Sequence, residues 1–133
     1  MKILVFSDSH NNDTNMREIL HRNHNRFDLC IHLGDGCHEF EMLGALYSPI
    51  PFVTVNGNGE DWGRNQRVRE TVLDLDGVRI MITHGHTYNV KFGTTNLEYR
   101  AVENECDIVL YGHTHIPDNR YIPDIMGRSL YIF

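Results

Sequence analysis

Ile108-Val109-Leu110-Tyr111-Gly112-His113-Thr114-His115 is the stretch on which the reading of this chain turns. Four apolar residues, two of them β-branched, stop at a glycine, which is the pattern of a buried strand ending in a turn. Two histidines one residue apart, just past a strand end, can be aimed at the same small volume. The neutral imidazole is the commonest protein metal ligand. Taken alone, the stretch fits a polar turn equally well. The arrangement recurs, however. Ile3-Leu4-Val5-Phe6 runs into Asp8-Ser9-His10, and Leu29-Cys30-Ile31-His32-Leu33 runs into Gly34-Asp35. Val78-Arg79-Ile80-Met81-Ile82 runs into His84-Gly85-His86. Strand after strand ends in ligand-type side chains, and that is hard to ascribe to chance.

Composition narrows the class. The 133 residues fit one domain, 1–133, with 41% apolar content and scattered charge, which argues against disorder. A formal charge of −6 leaves no basic footprint, so no nucleic-acid groove is expected. Part of that negative charge would belong to a metal site's own carboxylates. Nine histidines are many for this length. Cys30, Cys37 and Cys106 are odd in number and widely spaced, which suits neither a disulfide framework nor a zinc knuckle. Cys30 and Cys106 read as inert core residues. The apolar run before Ser7-Asp8 is too short for a signal peptide or a membrane span, so a reducing cytoplasm is the expected location.

Along the chain, strands are expected at Lys2–Phe6, Asp28–Leu33 and Phe52–Val55, alternating with helices. The first helix starts at Asp13 or Thr14 and ends near Asn25, with Met16, Ile19 and Leu20 as its apolar stripe. The second carries Phe40, Leu43, Leu46 and Tyr47. Such alternation argues for parallel strands with right-handed crossovers. Asp76-Gly77 between Arg67–Leu75 and Val78–Thr83 marks a hairpin. A helix from about Thr95 to Glu105 and a strand at Asp107–Tyr111 follow. Ile116–Ile122, a turn near Pro123, and a strand at Ser129–Phe133 complete the chain.

In an open α/β sheet, ligands bind at the carboxyl ends of the strands. Asp8, His10, Asp35, Asn58, His84, His113 and His115 lie at or just past such ends. Carboxylate, amide and imidazole together suit divalent Mn, Fe, Co, Ni or Zn. Seven ligands exceed what one ion needs and suggest two. Two dications roughly 3.5–4 Å apart need a shared carboxylate between them. Asp35 is the natural bridge.

Asp8-x-His10, Gly34-Asp35, Gly57-Asn58, His84-Gly85-His86 and Gly112-His113-x-His115, in this order and each after a strand, resemble the calcineurin-like metallophosphoesterases. The likeness runs from Met1 to about Ile116 and is nearest to the small bacterial and archaeal phosphodiesterase branch. It implies an α/β fold of two packed mixed β-sheets flanked by helices. It implies a di-metal centre, with manganese foremost, in which Asp8, His10, Asp35 and His115 hold one ion. Asp35, Asn58, His84 and His113 would hold the other. It further implies a phosphodiesterase that hydrolyses a small phosphodiester by attack of a metal-bridging hydroxide, with Asn58 helping to neutralise the phosphoryl oxygens. The His that many members carry after the Asn is Gly59 here, followed by Glu60-Asp61. Asp61 and His86 are alternative replacements for its role in protonating the leaving group.

A non-catalytic scaffold like the retromer's metallophosphoesterase-like subunit is the rival reading. A scaffold can lose ligands freely, whereas all seven positions here hold competent ones. His32 lies within a strand and reads as a hydrogen-bonded core residue; His38 opens a helix close to Asp35. The resemblance also implies a second sheet shortened at its C-terminus. Leu130–Phe133 should then pair with Ile116–Ile122 and leave an apolar edge open, with self-association or a frayed end as the outcome.

Overall fold

The computed structural model describes all 133 residues, Met1 to Phe133. Its centre is β2 (Leu29–His32), whose four residues are all buried. A strand apolar on both faces needs cover on both, and β2 has it. Leu29 and Ile31, with Leu33 just beyond, point into a core shared with Val55, Ile80, Ile82 and Leu110. Cys30 points the other way, among Met16, Leu20, Phe27, Phe40 and Leu43. The period of two along the strand thus feeds two different cores.

β2 pairs in parallel with β1 (Ile3–Phe6) on one side and β3 (Phe52–Thr54) on the other. The helices α1 (Thr14–Arg22) and α2 (Cys37–Gly44) join these strands and supply the outer cover. α1 does so with Met16 and Leu20, four residues apart on one helical face. This first sheet is wholly parallel, as the alternation of strand and helix predicts, where the resemblance implied a mixed one. Each connection here contains a helix and a crossover, and no hairpin intervenes to reverse direction.

The second sheet is mixed. It contains β4 (Glu70–Leu75), β5 (Val78–Thr83), β6 (Ile108–Leu110), β7 (Arg120–Ile125) and β8 (Arg128–Ile132), in the order β4-β5-β6-β8-β7. Ile80, Ile82 and Leu110 face the first sheet. Met81, Val109, Leu130 and Ile132 face α3 (Thr95–Glu103), which buries Leu97 and Ala101 against them. Fully burying one such side chain stabilises the fold by about 1.5–3 kcal/mol. Four layers result: helices, parallel sheet, mixed sheet, helix. Asp76 and Gly77 turn the β4–β5 hairpin with φ of 54° and 86°, the pair of positive values that a two-residue type I′ turn requires.

The end of the chain departs from expectation. The strand after the last histidine loop starts at Arg120, not Ile116, and runs through Pro123 to Ile125. Its turn is Met126-Gly127, with φ of 51° and 78°. β8 is not an edge. It lies between β7 and β6, and the Tyr131 and Phe133 amides donate to the carbonyls of Asp107 (2.9 Å) and Val109 (3.0 Å). The open edge expected at Leu130–Phe133 is therefore absent; the sheet's edges are β4 and β7. Pro123 lies on the edge strand β7, where a residue without an N–H is tolerated. The pairing register shifts around Pro123, and burial of Leu130 and Ile132 beneath α3 rewards the inner position for β8.

Candidate metal centre

Five loops leave the carboxyl ends of β1, β2, β3, β5 and β6 on the same side of the molecule. Backbone hydrogen bonds lace them together. The Asp8 amide donates to Gly34 O (3.0 Å), that of His10 to Asp35 O (2.9 Å), and that of Gly112 to His84 O (3.0 Å). The His113 amide donates to Asp8 Oδ2 (3.0 Å) and the Gly59 amide to Asp35 Oδ1 (2.7 Å). Each aspartate thus has one oxygen tied to main chain and one left for other work.

Asp8, His10, Asp35, His113 and His115 all have left-handed backbone, with φ of 54°, 49°, 59°, 72° and 59°. For residues with a Cβ this is uncommon, and it costs on the order of 1–3 kcal/mol each. Such strain clusters where side chains must be aimed.

The side chains converge in two groups. Ligand-type atoms of Asp8, His10 and His115 all lie within 4.8 Å of one another, as do those of Asp8, Asp35 and His84. In the first group, Asp8 Oδ1 is 3.2 Å from His115 Nε2 and 3.8 Å from His10 Nε2, and the two Nε2 atoms are 3.3 Å apart. In the second, His84 is fully buried and its Nδ1 lies 2.7 Å from Leu33 O. A carbonyl only accepts, so Nδ1 carries the hydrogen and the ring turns Nε2 inward. Facing Nε2 are Asn58 Oδ1 (3.0 Å), His113 Nδ1 (3.2 Å), Asp35 Oδ2 (3.5 Å) and Asp8 Oδ1 (3.7 Å). Oxygen and nitrogen donors gathered this way around one imidazole suit a divalent cation, and the residues fit one.

Protonation states agree with ligand roles. Burial would raise the Asp8 pKa, but hydrogen bonds from the Ser7 hydroxyl and the His113 amide outweigh it and hold the carboxyl below its ordinary range. Burial, with His84 and Lys91 nearby, lowers the His113 pKa and favours its neutral ring.

All seven residues singled out as ligands are in this cluster; Asp8 belongs to both groups, and Asp35 turns Oδ2 toward His84 in the second. Asp61 and His86, which the sequence offers as alternatives, are in contact: His86 Nε2 is 2.7 Å from Asp61 Oδ2. Arg69 Nε donates to the other oxygen at 3.2 Å. The His86 ring centroid is 5.4 Å from that of His84. His32 is a buried core residue that receives the Gly34 amide at Nδ1 (3.1 Å) and meets Ser9 Oγ at Nε2 (2.9 Å). His38 is exposed on α2.

Sequence reasoning missed three contributors. Arg69 orients Asp61, the Ser9–His32 pair braces the first ligand loop, and Glu60 lies beneath Asp35. Only Glu60 had a local signal, as an acid two residues after Asn58.

A family model described as the calcineurin-like phosphoesterase superfamily domain matches residues 1–132. The chain belongs to that superfamily. Its members generally bind divalent metals, in keeping with the donor set found here. A probable metallophosphoesterase of Bacillus subtilis is 34% identical over 116 residues, covering 87% of this chain and 65% of the relative. A phosphodiesterase of Methanocaldococcus jannaschii is 31% identical over 132 residues, covering 86% and 74%. The chain thus spans about two thirds of the length of these calcineurin-like relatives. Among solved structures, a single mutant of Vps29 from Entamoeba histolytica superposes with a TM-score of 0.73 at 20% identity, covering 99% of this chain and 73% of that one. That likeness is one of fold. No helix is long and apolar enough to cross a membrane.

Proposed function

We propose that this chain carries a two-metal phosphodiesterase site. Asp8, His10, Asp35 and His115 would hold one divalent cation, and Asp35, Asn58, His84 and His113 the other. Manganese is the first choice, with Ni, Fe, Co and Zn compatible with the same donors. The observation that carries this reading is the inward-turned Nε2 of buried His84, faced by oxygen and nitrogen atoms from four other loops.

When bound, the ions supply an acidified water as nucleophile and offset negative charge on the phosphoryl oxygens. The chain's own residues do the rest. Asn58 turns Oδ1 toward His84, so its NH₂ is free to donate to a phosphoryl oxygen. His86 binds Asp61 through Nε2, and its Nδ1 is buried with no protein partner. The His86–Asp61 pair, with Arg69 holding Asp61 ionised, would supply the proton for the leaving oxygen. The substrate is proposed to be a small phosphodiester, since a chain of net charge −6 offers no basic groove for nucleic acid.

The fold likeness to Vps29 favours one other reading, a scaffold for protein assembly. Against it stand seven intact ligands, five of them in costly left-handed backbone that a docking surface has no need to maintain. Metal analysis after loading with Mn, Ni, Co or Zn, followed by a screen of model mono- and diesters, tests the proposal. It predicts about two ions per chain, as a two-metal site requires, and hydrolysis of bis(p-nitrophenyl) phosphate. Loaded protein that cleaves no ester favours the scaffold, and protein that takes up no metal refutes the site.

A further inference from the structure

We infer that Glu60, which hydrogen-bonds none of the ligand side chains, is the positioning residue that sets where Asp35 and Asn58 stand relative to each other. This rests on the reading of Asp35 and Asn58 as metal ligands. Glu60 Oε1 accepts from the amides of Asp35 (2.7 Å) and Gly57 (3.0 Å) and from the Cys37 thiol (3.0 Å). Oε2 accepts from the Gly36 amide (3.1 Å). One carboxylate therefore gathers main-chain donors from two loops. The Asp35 and Gly36 amides flank the ligand after β2, and the Gly57 amide immediately precedes the ligand after β3.

The arrangement is a nest. Successive N–H groups around a left-handed residue form a concavity that binds an anion, and the left-handed residue here is Asp35, with φ of 59°. The occupant is the chain's own Glu60. The brace is reciprocal: Glu60, from the loop after β3, accepts the Asp35 and Gly36 amides. Asp35, from the loop after β2, accepts the Gly59 amide at 2.7 Å. Asp35, Gly36 and Gly57 are buried, so no bulk water replaces Glu60 as their acceptor. No Lys or Arg hydrogen-bonds Glu60; nearby Arg67 is engaged by Glu41 at 2.6 and 2.9 Å.

The consequence is selective. The first ligand loop is tied to the second by Asp8 N to Gly34 O and His10 N to Asp35 O, without Glu60. Asn58 is tied to Asp35 through Glu60 and the Gly59 amide. Loss of Glu60 should therefore weaken the ion held by Asp35, Asn58, His84 and His113 more than the one held by Asp8, His10, Asp35 and His115.

Glu60→Gln tests this, because it keeps the shape but turns an NH₂ toward N–H donors. Mn²⁺ titration of the full chain, followed by electron paramagnetic resonance, counts the ions and reads the exchange coupling of a pair. Glu60→Gln should bind the first Mn²⁺ within about threefold of wild type and the second about 10–100-fold more weakly, the loss typical when a ligand's hydrogen-bonded support is removed. The coupled-pair signal should vanish at concentrations where wild type shows it. In metal-free protein the Asp35, Gly36 and Gly57 amides should exchange faster. Glu60→Asp keeps the charge with less reach and should fall between the two. Faster exchange at those amides with both Mn²⁺ affinities unchanged overturns the positioning role and leaves the proposed function standing. Wild type that never binds a second Mn²⁺ overturns the two-metal reading itself. Should Glu60→Gln fail to fold, Glu60→Asp with wild-type exchange and wild-type Mn²⁺ binding overturns the inference.

Discussion

Gly34 holds three ligand loops in register, and replacing it with alanine should disturb all of them. Its φ is +102°, beyond the left-handed well that side chains tolerate. A Cβ there would collide with the Gly57 backbone, lying 2.7 Å from Gly57 Cα, and would sit 2.9 Å from His84 Nδ1. Backbone strain costs about 1–3 kcal/mol and overpacking of a tight site about 1–3 kcal/mol more, so Gly34→Ala should destabilise by about 2–6 kcal/mol. Against a typical domain stability of about 5–15 kcal/mol, that loss is large. Gly77→Ala is the control: φ is +86°, but nothing lies within 4 Å of the added Cβ, so only the strain remains. Urea titration of both metal-free variants gives the collision cost as their difference. Mn²⁺ binding should weaken in Gly34→Ala, because relief of the clash pushes Asn58 and His84 away from Asp35, and should be unchanged in Gly77→Ala. If Gly34→Ala lies within about 0.5 kcal/mol of wild type, the range of an ordinary surface change, and binds Mn²⁺ normally, the interlocking of these loops is refuted.

Asp35→Ala removes a buried carboxylate whose Oδ2 faces His84 and whose Oδ1 receives the Gly59 amide. It should lose at least one metal and nearly all hydrolysis by metal analysis and turnover, and retention of both ions with most of the rate would refute the two-metal assignment. Diesters with acidic leaving groups should be cleaved better than alkyl esters; His86→Ala should depress alkyl-ester turnover by about 10²–10⁴-fold, the usual worth of a general acid, while scarcely affecting p-nitrophenyl esters. Equal loss on both substrates would remove His86 from that role. Burial lowers the His32 pKa from 6.5 to about 4, so the unfolded chain takes up a proton that the folded one refuses. The stability held by neutral His32 is complete above about pH 6.5 and disappears as pH falls toward 4, up to about 3 kcal/mol. Urea midpoints of His32→Gln in metal-free protein should fall less steeply over that interval, and an equal slope would place the acid sensitivity elsewhere.

Sequence by itself determined most of the elements and the candidate ligands. Continuous apolar runs at Ile3–Phe6 and Leu29–Leu33 reflect cover on both faces, and Asp76-Gly77 has the residues that a positive-φ turn demands. Asp8, His10, Asp35, Asn58, His84, His113 and His115 were legible because each follows a strand, and parallel strands deliver their carboxyl ends to one side. These signals are short-range sterics and periodicity, carried by neighbouring residues. Tertiary structure alone decided the order of the second sheet. Leu130 and Ile132 point to one face of the strand whichever strand lies beside them, so only pairing with β6 and burial under α3 put β8 inside. It alone joined Asp61 to His86, 25 residues apart, and brought Glu60 to the amides of Asp35 and Gly36. Those contacts depend on how independent loops stack at the strand ends, and a carboxylate that binds distant main-chain donors leaves no mark in the residues it binds.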